Sequence, residues 1–224
     1  MILRGVALFL LLMASAHAEL PPRLQITYDV LRNGSAVAEI VGRLESDGNT
    51  YRLTESWKGR SFYALLGRAM RTSEGSLTPA LVRPREFTDE RSGRDTARAW
   101  FDWGANAMTL RYKGKSRTEP IPPNAQDRLS FILALSAAPA DAKHGDYHLV
   151  DGRGVSHHIY EFAGRERVQT PAGEFDARKI VRGAKDDDQV QIWLAKPLGG
   201  LPVRMLVVEK GGTRWDQVAT RVER

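Results

Sequence analysis

The sequence predicts an α+β domain of mostly antiparallel strands, built as a curled meander sheet or half-barrel with one buried apolar helix. Apolar and polar residues alternate at period two in many short segments, which is typical of strands with one buried face. Turn sequences such as Asn33-Gly34 separate these segments and favour tight hairpins. One segment, residues 127–138, has instead the three- and four-residue spacing of a helix. A helix this apolar must be buried, so we expect it on the concave side of the sheet.

The first half of the chain reads as a meander of hairpin-linked strands. Residues 24–30 alternate, with Leu24, Ile26, Tyr28 and Val30 predicted to face inward. Residues 36–45 and 51–57 follow as the second and third strands. Residues 62–66 fit either a short helix or a buried strand. Further strands are predicted over residues 81–91, 96–103 and 108–112.

The helix and a second meander follow a proline-rich stop at residues 120–124. Asp127 lies in the predicted first turn, where the helix dipole favours negative charge, and Pro139 ends the segment. Later strands are predicted over residues 147–150, 156–162, 189–194, 203–208 and 213–222, with a hairpin tip at Thr170–Gly173. We predict one domain over residues 19–224, and a division into two at a hinge near 120–124 is the alternative.

The first eighteen residues predict a secretory signal peptide. Arg4 precedes a short apolar run over residues 6–13, and the segment ends in Ala16-His17-Ala18. The run is too short to span a membrane, since a spanning helix needs about 20 apolar residues. We expect cleavage between Ala18 and Glu19, which leaves an exported chain that does not span the membrane after processing.

Composition excludes several classes of function. The chain has no cysteine, which excludes disulfides, thiolate-bound metals and thiol catalysis. Its formal charge is +6, but the basic residues alternate with acids, as in residues 83–86 and 89–91. We interpret these stretches as solvated surface and expect no nucleic-acid partner. A weak attraction to anionic lipid headgroups stays open.

We find no pattern that predicts a catalytic, cofactor or metal site. His157 and His158 are adjacent and point to opposite faces of a strand, and neither His144 nor His148 has an acidic partner at a diagnostic spacing. The acidic run at residues 186–188 is one loop and supplies too few ligands for calcium. The G-x-S-x-G motif of serine hydrolases is absent. Two carboxylates brought together by folding would still allow a carbohydrate-active enzyme.

Several segments, taken in order, resemble a known family. They are Tyr28-Asp29-Val30 before Asn33-Gly34, Asp127-Arg128-Leu129-Ser130, Thr170-Pro171-Ala172-Gly173-Glu174-Phe175, and Ile192-Trp193-Leu194 followed by Leu201-Pro202-Val203-Arg204. After a signal peptide, this set resembles domain-of-unknown-function family 3108, exported proteins of Gram-negative bacteria. The resemblance implies the periplasm and carries no catalytic residue across. It also implies an architecture similar to periplasmic lipoprotein carriers, in which helical segments close a half-open barrel.

Three functional hypotheses follow from these observations. The first is a non-enzymatic periplasmic protein that binds an apolar ligand or lipid in a half-barrel cavity, with Trp57, Trp100, Phe131 and Trp193 as its lining. The second is an envelope assembly protein that acts through its surface and sheet edges. The third is the carbohydrate-active enzyme.

Overall fold

The computed structural model describes residues 20–78, 81–183 and 188–224. The predicted signal peptide, with its cleavage point between Ala18 and Glu19, lies outside these residues. The first eight strands are β1 Arg23–Arg32, β2 Ser35–Ser46, β3 Thr50–Gly59, β4 Arg68–Leu77, β5 Val82–Arg91, β6 Ala97–Asp102, β7 Ala107–Tyr112 and β8 Lys115–Pro120. The remaining strands are β9 Ala125–Asp127, β10 His144–Asp151, β11 Gly154–Thr170, β12 Gly173–Arg182, β13 Gln189–Ala195, β14 Pro202–Val208 and β15 Arg214–Glu223. A helix α1, Ser130–Ala137, and two 3-10 helices, Ser61–Leu66 and Lys196–Leu198, complete the described elements.

All fifteen strands belong to one curled sheet that is not closed into a barrel, which confirms the predicted fold class. Its order is β8-β7-β6-β5-β4-β3-β2-β1-β15-β14-β13-β12-β11-β10-β9, so two meanders meet where β1 pairs with β15. The pairing is antiparallel except between β9 and β10. Residues 121–124, the predicted hinge, carry the chain from β8 at one edge to β9 at the other. Such a short connection requires the sheet to curl until its edges approach each other.

The helix is shorter than its predicted span of 127–138. Asp127 ends the strand β9, opposite Val150, and is not in the first turn of the helix. Its carboxylate instead accepts hydrogen bonds from the N–H groups of Leu129 and Ser130 at 2.8 and 2.9 Å. These contacts satisfy donors at the start of the helix, as a capping residue would. The negative charge is therefore beside the helix N-terminus, as predicted, but in the preceding strand.

The inner face of the sheet forms the core, and the period-two pattern identified it. On β1, the residues Leu24, Ile26, Tyr28 and Val30 are all buried. The largest fully buried side chains are Phe87, Ile26, Ile40, Leu44, Met108, Leu110, Leu135 and Ile180. Since residues opposite each other in register share a face, this core extends across both meanders and onto the helix.

Polar contacts fasten the β9–β10 edge to the inner side of the first meander. The amide of Gln126 donates to the carbonyl of Val82 at 2.8 Å. The hydroxyl of Ser73 donates to Asp127 at 2.6 Å. These groups come from opposite halves of the chain, so they hold the sheet in its curled shape.

Candidate functional site

The inner face changes from fully buried to half-buried along the strands. Leu24, Leu44 and Phe87 are at most 2% exposed at one end. Toward the other end, the inner-facing positions are half-buried. They include Glu55 and Trp57 on β3, Arg71 on β4, Arg91 on β5, Arg182 on β12, Met205 on β14 and Gln217 on β15. We call this set the concave mouth. It is where the curled sheet remains accessible from solvent.

A buried ionic network lies in the concave mouth, centred on Asp89. The Asp89 carboxylate is 0% exposed and accepts hydrogen bonds from Arg91 at 3.0 and 2.9 Å and from Arg153 at 3.1 Å. Burial alone would raise the pKa of Asp89, but these hydrogen bonds and the charge of Arg71 outweigh it and lower the pKa. Arg153 also lies 3.6 Å from Asp151 on β10. The network therefore joins the two halves of the sheet, and it keeps Asp89 ionised.

Arg71 and Glu55 face each other in the mouth without a hydrogen bond between them. The Arg71 Nη1 atom lies 3.7 Å from Glu55 Oε2, and its Nε lies 3.8 Å from Asp89 Oδ1. Burial raises the pKa of Glu55, and the charge of Arg71 opposes this. Burial lowers the pKa of Arg71, and the charges of Glu55 and Asp89 oppose this. The guanidinium also lies over the ring of Trp57, 5.5 Å from its centroid.

Three buried N–H donors around the mouth have no hydrogen-bond acceptor among the described residues. They are Arg71 Nε, Arg182 Nε and the side-chain amide of Gln217. Arg182 does contact His158 through Nη1, at 3.1 Å from Nδ1. An unsatisfied buried donor costs about 1–3 kcal/mol, more when it is charged. Arg71, Arg182 and Gln217 therefore each keep a donor that no acceptor among the described residues engages.

Aromatic side chains from the helix and β10–β11 form an apolar wall. Phe131 stacks on Tyr160 with ring centroids 6.0 Å apart, and Tyr147 meets Tyr160 edge-on at 6.3 Å. Burial raises the pKa of Tyr160 to about 12, against the opposing charges of Arg182 and Arg128. Since those two arginines act on the same phenol, the aromatic wall adjoins the charged residues of the mouth.

The four predicted lining residues divide between the two faces of the sheet. Trp57 lies opposite Ile40 on the inner face, and Phe131 is buried in the helix. Trp100 lies opposite Glu86, on the face away from the buried Phe87, so it points outward. The register from β13 through β14, β15, β1 and β2 to β3 places Trp193 on the same face of the sheet as Lys58. Trp57, the neighbour of Lys58 in β3, points to the other face.

Trp193 has surroundings that account for its burial without a ligand. Its indole N–H donates to Glu166. Lys179 and Arg204 lie over its ring at 5.2 and 5.3 Å. The structure therefore brings Trp57 and Phe131 to the concave side and leaves Trp100 and Trp193 outside it. The lining assignment stays a prediction, now centred on the first two residues.

The predicted solvated stretch at residues 89–91 contains the centre of the ionic network. Asp89 shares the parity of Phe87, so period two places it on the inner face beside that core residue. This parity was the signal in the sequence. Charge alone gave the interpretation of a solvated surface, which is wrong for Asp89. That carboxylate is fully buried, and Arg71 from β4 and Arg153 from the turn after β10 lie around it together with Arg91 of its own strand.

Four histidines lie on the edge hairpin β10–β11, and one of them, His158, contacts Arg182 of the concave mouth. His148 and His157 pair across the two strands with rings stacked at 4.7 Å, and His157 contacts Asp146 at 2.6 Å. Within the described ranges, no group of three or more His, Asp or Glu is arranged to hold a metal ion. Asp186 and Asp187 of the acidic run lie outside the described residues.

The two edges of the sheet are poor templates for a partner strand. The strand β8 is short, carries Lys115, Arg117 and Glu119, and ends in Pro120. Charge and proline are the features that block strand addition at an edge. The strand β9 has three residues, all buried. The geometry therefore favours the concave mouth over the edges as the binding surface.

Among solved structures, one with a TM-score above 0.5 agrees with this architecture. The chain is similar to the beta-barrel-like protein of domain of unknown function DUF1849 from Brucella abortus, with 13% identity and a TM-score of 0.55, over 92% of this chain and 98% of that one. A protein described as exported, with a YmcC-like fold, from Bacteroides fragilis has 12% identity and a TM-score of 0.38, over 90% and 95% of the two chains. A protein described as a lipoprotein from Parabacteroides distasonis has 10% identity and a TM-score of 0.37, over 92% and 96%.

These likenesses concern the fold, and the family comes from the sequence. No curated protein matches the chain. No helix in the described part of the chain has the length and apolar character needed to cross a membrane. The model of the family "Protein of unknown function (DUF3108)" matches residues 23–215, which confirms the resemblance carried by the sequence motifs. The chain belongs to the DUF3108 family.

Proposed function

We propose that this chain is an exported, non-enzymatic protein of the periplasm that binds an apolar ligand or lipid at the concave mouth. The supporting observation is the half-buried inner face, where Trp57 and Met205 remain partly accessible beside a closed core. Covering apolar surface of this kind releases about 25 cal/mol for each Å² removed from water. Concave, mainly apolar sites with a few polar groups are typical of ligand binding.

The state of the mouth carboxylates supports a binding role over a catalytic one. Asp89 is engaged by Arg91 and Arg153, and Asp151 accepts from Arg128 at 2.7 Å. Glycosidases need one carboxyl group that gives up a proton and a second that is open to water or substrate. Asp89 and Asp151 are held in arginine pairs and serve neither role. Of the three mouth carboxylates only Glu55 is outside such a hydrogen-bonded pair, and a glycosidase needs two.

Binding is tested with delipidated mature protein and the fluorescent apolar probe N-phenyl-1-naphthylamine. We expect saturable binding and displacement by dioctanoylglycerol. The Trp57→Leu variant should weaken probe binding about tenfold, because most of a large aromatic contact is lost. Trp100→Leu is the matched control, since it removes the same side chain from the outer face and should leave affinity unchanged. Absence of saturable binding, or equal losses in the two variants, would contradict the proposal.

Export has a separate test. We expect the protein to fractionate with the periplasm and its N-terminal residue to be Glu19. An Ala18→Trp substitution should block cleavage, because signal peptidase sites require small residues. A mature chain that still begins at Met1 would contradict this part of the proposal.

A further inference from the structure

The concave mouth and its rim hold more positive than negative charge. The basic residues are Arg71, Arg91, Arg128, Arg153 and Arg182, and the acidic ones are Glu55, Asp89 and Asp151. Ion pairs connect most of these groups directly. Arg91 and Arg128 both act electrostatically on Arg71, and Arg128 and Arg182 both act on Tyr160. The groups therefore form one neighbourhood with an excess of cations.

The carboxylates are unevenly shared among these arginines. Asp89 is hydrogen-bonded to Arg91 and Arg153, and Asp151 is hydrogen-bonded to Arg128. Arg71 has its nearest carboxylate oxygens at 3.7 and 3.8 Å, beyond hydrogen-bond distance. Arg71 is therefore ion-paired with two carboxylates but hydrogen-bonded to neither.

Arg71 and Arg182 provide directed donors in addition to charge. The Nε atoms of both are buried and have no acceptor among the described residues. The Arg71 side chain is 22% exposed, so solvent reaches part of the same guanidinium. Burial lowers the pKa of Arg71 by more than the charges of Glu55 and Asp89 raise it.

We infer that the ligand of the concave mouth carries an anionic oxygen group, a phosphate, sulfate or carboxylate, that Arg71 and Arg182 hold while Trp57 contacts its apolar part. This inference rests on the proposed function and names the class of its ligand, an anionic amphiphile. A guanidinium presents a rigid planar fork of donors that matches carboxylate and phosphate oxygens. The guanidinium of Arg71 lies 5.5 Å from the centroid of the Trp57 ring, so the two side chains are close enough to contact one ligand.

The test compares ligands that differ only in charge. Delipidated protein is titrated by calorimetry with dioctanoyl phosphatidate, with dioctanoylglycerol and with inorganic phosphate. We expect phosphatidate to bind at least about tenfold more tightly than dioctanoylglycerol, since a hydrogen bond to a charged group contributes about 1.5–3 kcal/mol. Inorganic phosphate should bind much more weakly than phosphatidate, because it lacks the apolar part.

Variants assign the effect to named residues. Arg71→Gln and Arg182→Gln should each remove most of the preference for phosphatidate. Arg167→Gln is the matched control, because that side chain is 81% exposed and pairs with Glu174. Glu55→Gln should change affinity in the opposite direction, with severalfold tighter phosphatidate binding, since it removes a competing negative charge. Circular dichroism will show whether Arg71→Gln folds. If it does not, the increase in phosphatidate affinity expected for Glu55→Gln still tests the inference.

The outcomes separate this inference from the proposed function. Equal affinities for phosphatidate and dioctanoylglycerol would contradict the inference that the ligand is anionic. The proposal that the mouth binds an apolar ligand would still hold. Absence of binding by both lipids would overturn the proposed function and the inference together. If inorganic phosphate binds as tightly as phosphatidate, the mouth is an ion site. That result would contradict the inference that the ligand is an amphiphile.

Discussion

Asp127 is a buried carboxylate with three hydrogen bonds on its side-chain oxygens. It accepts from the N–H groups of Leu129 and Ser130 and from the hydroxyl of Ser73, which itself lies 3.1 Å from the hydroxyl of Tyr51. Burial raises the pKa of Asp127 from 3.8 to about 6, although these hydrogen bonds favour the ionised form. The folded state therefore binds a proton more tightly at Asp127 than the unfolded chain does.

This raised pKa predicts that the fold is less stable when Asp127 is ionised, at neutral pH, than when Asp127 is protonated, at acidic pH. The stability that comes from the protonated carboxyl is fully present below about pH 4 and is lost as the pH rises through about 6. We expect the difference in unfolding free energy between wild type and Asp127→Asn to fall by up to about 3 kcal/mol between pH ~4 and ~7. Urea unfolding of both proteins across this range measures it.

Asp47→Asn is the control for this pH series. Hydrogen bonds from the backbone of Thr50 and Asn49 lower the pKa of Asp47. Its contribution is therefore lost only on acidification below the range tested, and its difference from wild type should stay nearly flat from pH ~5 to ~7. A flat curve for Asp127→Asn as well would show that the Asp127 carboxyl is not perturbed.

At the scale of single residues, the sequence predicted positions on a face better than it predicted partners. Alternation identified the buried set on β1, whereas it did not prevent the assignment of the outward-facing Trp100 to the lining. The roles of Arg71 and Asp89 depend on contacts between distant strands. The spacing of residues along the chain does not show which distant strands come together, so the charged part of the mouth could not be predicted from it.

At the scale of elements, two strands that the sequence analysis did not predict, β4 and β8, lack the alternation of apolar residues. The strand β4 carries Arg71, Ser73 and Gly75 on its inner face, so it lacks the apolar alternation that marks a half-buried strand. Arg71 lies opposite Glu55 on the neighbouring strand, and Ser73 contacts Asp127 across the curl. The strand β8 is exposed on almost every residue and shows no alternation either. The segment at 62–66 is a 3-10 helix, within Ser61–Leu66, and it exposes Phe62 and Leu65.

The turn between β10 and β11 reaches the first meander through Gly152. A Cβ atom at this position would lie 2.6 Å from the backbone oxygen of Arg98 and 2.8 Å from the carbonyl carbon of Ala97. We expect Gly152→Ala to destabilise the protein by about 1–3 kcal/mol, because the turn must move away from β6. A lower midpoint of urea unfolding measures the effect.

Gly211→Ala is the comparison for this substitution. A Cβ there meets no atom within 4 Å, so its effect should stay within about 0.5 kcal/mol. Equal midpoints for the Gly152→Ala and Gly211→Ala variants would show that the turn does not press on β6. Such a result would also weaken the role given to Arg153, which approaches Asp89 from this turn.

At the scale of the whole molecule, the joint between the two meanders is a long strand pair. The strand β1 pairs with β15 from Gln25 opposite Glu223 to Arg32 opposite Trp215. The hydroxyl of Tyr28 adds a hydrogen bond to the carbonyl of Pro202 at 2.8 Å. The core is continuous across this joint. Since neither meander can keep its inner face buried without the other, we predict that they unfold together, as one domain over residues 19–224.

Tryptophans in the two halves can report on each meander separately. The first meander contains Trp57, Trp100 and Trp103, and the second meander contains Trp193 and Trp215. One variant keeps only the first set, with the other tryptophans replaced by phenylalanine, and a second variant keeps only the second set. For each variant, urea midpoints from fluorescence and from circular dichroism should coincide, as required for a two-state transition. Midpoints that differ in opposite directions in the two variants would show two domains, joined at residues 120–124 and able to unfold independently.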